Sequence, residues 1–206
     1  MEHYGFFNGE QEYGQDEFSR YFNNIFQSGI SADDNGTLTY RVYSDEPNKL
    51  KVETGFAIIK GFYLYNDSLK TLNINKDSNY DRIDRIVIRL NLNNKVVSIE
   101  RKQGTATSNP VPPDLQRDNL IWELSLAQVK IDKNNNIYII DERFRQELCG
   151  AIRPKNFTEF NAMLKEFQKQ FDRWFNSQQA KGWRNVFIQP NVPEGSVQGS
   201  IWIQTL

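Results

Sequence analysis

The chain has 206 residues, with 25 Lys and Arg against 26 Asp and Glu, one His, one Cys and a formal net charge of −1. Lone Cys149 excludes a disulfide framework and a CxxC redox pair, and lone His3 excludes zinc sites built from several His or Cys ligands. The balanced charge lacks the basic excess of a nucleic-acid binder, and no run approaches the ~18–20 consecutive apolar residues of a membrane span.

The first residues, Met1 to Gly5, carry no basic n-region or apolar h-region, so the expectation is no signal peptide and folding in a reducing cytoplasm. A helix is predicted over Asp16 to Gln27. Phe18, Tyr21, Phe22, Ile25 and Phe26 fall on one face, Asp16 is the expected N-cap, and Ser28-Gly29 stops the helix. The stripe is expected to pack as core against a sheet.

From Thr37 to Arg143 the apolar period changes to two. Strands are predicted at Thr37–Val42, Lys49–Thr54 and Ala57–Tyr65. Asp33-Asp34-Asn35-Gly36 reads as a turn, because a calcium loop with Gly36 at its sixth position would need a Glu where Val42 stands. Two hairpins follow, Arg82–Leu92 with Lys95–Gln103 and Leu120–Asp132 with Asn136–Asp141, each joined through asparagine-rich turns. Pro110, Pro112 and Pro113 make the connection between the hairpins extended.

Arg153-Pro154 ends this region. Asn156 and Glu159 form a predicted capping box. Phe157, Phe160, Leu164, Phe167, Phe171 and Trp174 then recur at intervals of 3, 4, 3, 4 and 3, a heptad seam among Lys165, Glu166, Lys169 and Asp172. This seam is the predicted oligomer interface, the alternative being a helix packed onto its own sheet. Large Phe knobs favour a three-stranded core over a tight two-stranded one, so a homotrimer is expected. The tail carries Trp183, Val186, Phe187 and Ile188, then Pro190, Pro193, Gly195 and Gly199, and closes on a short strand within Ser200 to Leu206.

The densest charged run is Asp81, Arg82, Asp84, Arg85 and Arg89 within one strand. It reads as a structural ion-pair ladder. The functional alternative is an anion clamp of Arg82, Arg85 and Arg89. Glu123, between Trp122 and Leu124, is the one carboxylate in an apolar setting, and a buried Glu bonded to an Arg is the favoured explanation. The chain lacks GxxxxGK[ST], GxSxG, HExxH and GxGxxG. No catalytic residue, metal ligand or cofactor is therefore predicted.

The order of motifs resembles a family. Tyr4 to Asn8 with Phe18 to Phe22, then Gly55 to Gly61 with Tyr63 and Asn66-Asp67, and then Arg82 to Leu90 follow its pattern. Gly104 to Ala106 with Pro110, Pro113, Leu115 and Arg117 come next. Trp122 to Leu124 with Leu126-Ala127, Asp141 with Arg143, Cys149-Gly150 and Gly199 to Ile203 close the series. Together they resemble baseplate and tail-fibre attachment proteins of tailed bacteriophages of Gram-positive bacteria. The resemblance implies a virion protein of the tail, with other tail or baseplate proteins as partners and indirect contact with the host surface.

The expected fold is mainly β (α+β). A β-rich tail-docking platform with an N-terminal helix spans 1–152, an oligomerisation helix 153–182, and a short extension with a terminal strand 183–206. The expected function is structural, docking on the tail and attaching fibres or receptor-binding proteins. The alternatives are a carbohydrate-binding receptor protein or a cell-wall polysaccharide hydrolase. No nucleic acid or membrane is an expected partner.

Overall fold

A computed structural model describes residues 12–75, 79–155, 158–180, 186–194 and 198–205. His3, the Tyr4–Asn8 motif, the Asn156 cap, Phe157, Trp183 and Gly195 lie outside the described residues. The chain divides into two compact units, Met1–Lys155 and Asn156–Leu206.

The first unit is mainly β. It runs α1 (Gln15–Ile25), β1 (Gly29–Ile30), β2 (Val42–Tyr43), β3 (Lys49–Val52), β4 (Gly55–Ile59), β5 (Phe62–Asn66) and β6 (Lys70–Asn73). The long strands β7 (Arg82–Asn91), β8 (Val96–Lys102), β9 (Ile121–Ile131) and β10 (Ile137–Asp141) follow. These four form an antiparallel sheet in the order β10-β9-β7-β8. Two three-stranded sheets, β1-β4-β5 and β2-β3-β6, complete the unit.

Alternation in β7 puts Ile86, Ile88 and Leu90 on one face. They join Leu124, Leu126 and Val129 of β9 in a single buried cluster, to which the small sheets add Ile30, Val42, Leu50, Val52, Ala57 and Ile59. Burial of this continuous apolar surface is the main force holding the three sheets together. The pairing of β7 with β9 steps from Ile86↔Ala127 to Val87↔Ser125. The extra residue, Leu126, makes a bulge that keeps both Leu126 and Ala127 buried.

Three local expectations are corrected. The predicted Ala57–Tyr65 strand is a hairpin, because Lys60 (φ 52) and Gly61 (φ 83) make a two-residue turn closed by the pair Ile59↔Phe62. A Cβ at Gly61 would stand 2.0 Å from the Ser19 carbonyl oxygen, so the turn tip is pressed against α1. The predicted Thr37–Val42 strand is interrupted at Tyr40, whose φ of 59 turns the ring into the core, where its hydroxyl donates to the Leu64 carbonyl at 2.9 Å.

The third correction concerns α1. Its N-cap is Gly14, whose N–H donates to Glu17 at 3.0 Å, rather than Asp16. No residue of α1 is fully buried, and Phe18, Tyr21 and Phe22 are 46%, 48% and 40% exposed. The helix meets the turn of the β4–β5 hairpin rather than the face of a sheet. An apolar pocket of about 470 Å³, lined by Phe18, Phe22, Phe62, Leu90 and Val97, stays open beside it.

The end of the first unit is zipped onto the chain that leaves α1. Gln27 N–H donates to Arg153 O at 2.7 Å, Ile152 N–H to Ile30 O at 2.9 Å, and Lys155 N–H to Ile25 O at 2.6 Å. This approach requires glycine at position 29, where a Cβ would stand 2.6 Å from the Ala151 carbonyl carbon.

The second unit holds α2 (Thr158–Ala180) and two short strands, β11 (Val186–Ile188) and β12 (Ile201–Ile203), which pair in parallel. No helix among the described residues is long and apolar enough to cross a membrane.

Candidate functional site

The five charged residues of the predicted ladder separate. Arg82 and Asp84 share the parity of the core residues, and Arg82 Nε donates to Asp84 Oδ1 at 2.8 Å. Asp84 also accepts from Gly104 N–H at 2.9 Å, which pins the start of the proline-rich connection. Asp81 sits at the strand's edge and is bridged by Lys130 at 3.0 Å. Arg85 and Arg89 point to the opposite face. Arg82, Arg85 and Arg89 therefore do not converge into one clamp.

That opposite face holds a buried polar network. Glu123 is fully buried on β9. Its Oε1 accepts from Arg89 Nη1 at 2.6 Å, and its Oε2 accepts from Lys102 Nζ and Gln116 N–H, both at 2.7 Å. The neighbouring strand β7, the strand β8 beyond it and one residue of the connection thus satisfy a single carboxylate. A buried charge with fewer partners would be strongly destabilising.

Besides Asp84 and Glu123, a third carboxylate is fully buried, and the sequence reading missed it. Glu142 follows β10 and is also fully buried. It accepts from Ser125 Oγ at 2.5 Å and Gln128 Nε2 at 2.6 Å, and Arg85 Nε lies 3.4 Å away. The charged run Asp141-Glu142-Arg143 at the end of a predicted strand was the local signal. Arg143 pairs with Asp141 at 2.7 Å and donates to the Leu38 carbonyl, and to the Thr39 carbonyl at 3.0 Å. Burial pushes the Asp141 carboxyl up, but bonds and charge from Arg143 hold it below the usual range. Cys149 is buried, and burial pushes its thiol up to about 12.

The other candidate surface is α2. Phe160, Leu164, Phe167, Phe171 and Trp174 are 40%, 49%, 71%, 54% and 53% exposed. With Phe160 at heptad position d, Leu164 and Phe171 fall at a, and Phe167 and Trp174 at d. Asn161, Gln168 and Phe175 then take position e, and Met163, Gln170 and Ser177 take g. Every charge from Lys165 to Arg173 falls at b, c or f. The apolar stripe is thus widened by uncharged flanks, and Phe171 stacks on Phe175 with ring centroids 6.0 Å apart.

No protein-family description matches the chain, and no curated protein matches it in sequence. Among solved structures, the crystal structure of the gene 22 product of the Bacillus subtilis SPP1 phage aligns over 57% of this chain and 80% of its own, with 14% identity and a TM-score of 0.34. A likeness at that score carries no argument about fold or function.

Proposed function

We propose that the protein is a structural subunit of a phage tail baseplate. In this reading the first unit is a platform that docks on tail proteins. α2 gathers three copies and presents fibres or receptor-binding proteins. The observation that carries the reading is the exposed face of α2, where five large apolar side chains of the a/d seam stand at least 40% open to water. An apolar stripe of that length on one helix is an association surface. Uncharged e and g positions widen the buried seam, which suits three strands better than two. The phage context comes from the sequence resemblance described above.

The buried carboxylates support a structural rather than a catalytic role. Glycoside cleavage needs one carboxyl free to give a proton and a second to attack or to activate water. Both oxygens of Glu123 are taken by Arg89, Lys102 and Gln116, and Glu142 is held by Ser125 and Gln128. Light scattering of the purified chain tests the assembly, with an expected mass of about three times 24.1 kDa. A monomer at all workable concentrations overturns it. Gold-labelled antibody against the protein, viewed on phage particles, tests the location, and label on heads alone would refute the tail assignment.

A further inference from the structure

A second pocket in the first unit, of about 300 Å³, gathers cations that the structural reading leaves unused. Lys60, Arg117 and Lys155 line it, with Trp122 as one wall. Lys60 Nζ stands 3.6 Å from the centre of the Trp122 ring, and Arg117 Cζ stands 5.5 Å from the same point. Lys155 Nζ reaches Asn23 Oδ1 at 3.3 Å. Among the described residues, none of the three has a carboxylate within ion-pair distance. Glu147 is the one acidic residue lining the pocket, and it serves Arg117 through its main-chain carbonyl.

The cations are positioned rather than loosely solvated. Arg117 donates from Nε to Glu123 O at 3.1 Å, from Nη1 to Glu147 O at 2.7 Å and from Nη2 to Leu148 O at 2.8 Å. These neutral carbonyls fix the guanidinium without balancing its charge, and one hydrogen on each Nη is left for a further acceptor. Lys60 occupies the first position of the two-residue turn, at φ 52, where Asn, Asp or Gly is the ordinary choice. Its backbone N–H is tied to Ser28 Oγ at 2.9 Å, and Gly61 beside it is pressed against α1. A strained backbone that aims a charged side chain into a pocket points towards function. Burial, followed by repulsion from Lys155 and Arg117, lowers the proton affinity of Lys60.

We propose that this pocket binds a phosphate group, held by Lys60, Arg117 and Lys155 against the Trp122 wall. Three cations match a phosphate dianion better than a carboxylate. The unused N–H on each Nη of Arg117 is available to a phosphate oxygen. The group comes either as the free ion or as a phosphate ester.

The test is titration of the full chain at low salt with inorganic phosphate, glycerol 3-phosphate and, at matched ionic strength, acetate. Binding is followed by calorimetry and by tryptophan emission. Saturable binding of a phosphate ligand with no response to acetate is expected. Tighter binding of glycerol 3-phosphate would identify an ester as the ligand, and tighter binding of inorganic phosphate the free ion. Lys60→Asn suits the turn and so should fold at least as well as the parent, yet bind at least about tenfold more weakly for loss of a charge-assisted contact. Equal response to acetate, no saturation by about 10 mM phosphate ligand, or unchanged affinity in a folded Lys60→Asn variant would overturn the proposal.

Discussion

Arg89 on β7 and Glu123 on β9 face each other in register, and Arg89 Nη1 donates to Glu123 Oε1 at 2.6 Å. Because Glu123 is fully buried, the pair is tested by breaking one side. Glu123→Ala would strand Arg89 and Lys102 with no common carboxylate. Removing one partner of a buried pair costs about 3–5 kcal/mol, so the urea midpoint should fall well below that of the parent. Glu123→Gln, which keeps the shape and can still accept a bond, should lose less. If Glu123→Ala unfolds at the parent midpoint, the network is not what holds the central strands.

The same carboxylate gives a check on catalysis. Host cell walls incubated with the protein should release no more reducing ends or peptides than buffer does. Sustained release that disappears in Glu123→Gln would move the reading to a hydrolase.

Assembly should run through α2. Phe171→Ala removes an a-position knob, and truncation of a packed Phe costs about 3–5 kcal/mol. The expected result is a shift from trimer towards monomer by light scattering, with the melt of the first unit unchanged. Since no charge stands at e or g, the assembly should also be insensitive to added salt. Dissociation of the parent protein by moderate salt would contradict this arrangement.

Cys149 should be inert in the folded chain. It is 1% exposed, and burial pushes its thiol up to about 12, so the reactive thiolate is scarce near neutral pH. Iodoacetamide should label it only after denaturation. Rapid labelling of native protein would show that the Cys149–Lys155 zipper opens readily.

Acid should weaken the first unit through its turns. Asp118 is held below its ordinary range by Gln116 and by the Ile121 and Leu120 N–H groups, and Asp132 by Asn136. Asp81 is lowered by Lys130 and the Lys133 N–H. Asp141 is lowered by Arg143 against its own burial. A carboxyl with a depressed folded pKa adds stability that is fully present above its unfolded value, about 3.9, and is lost as pH falls through the folded value. Unfolding midpoints should therefore be flat as pH falls from neutral to about 5 and then decline towards pH 2. A decline that begins above pH 6 would require another titrating group.

The elements legible in the sequence are those whose partners lie close along the chain. The β7–β8 hairpin follows from period-two alternation around an asparagine turn, and α2 follows from a 3-4 spacing that needs no tertiary partner to be read. The mainly β class follows from the same alternation. Tertiary structure decided the rest. The insertion of β7 between β8 and β9, the bulge at Leu126, the carbonyls of Leu38 and Thr39 that hold Arg143, and the strand-like zipper of Cys149–Lys155 on the exit of α1 all join distant segments. Neither Glu142 nor the Lys60, Arg117 and Lys155 group could be read locally. A carboxylate's burial and a pocket's charge depend on which strands meet, and loop closure between distant segments leaves no periodic trace in the chain. The aromatic stripe of α1 shows the same limit from the other side. Its spacing is that of a core helix, but how deeply it is buried depends on whether a sheet face or a hairpin turn lies beneath it.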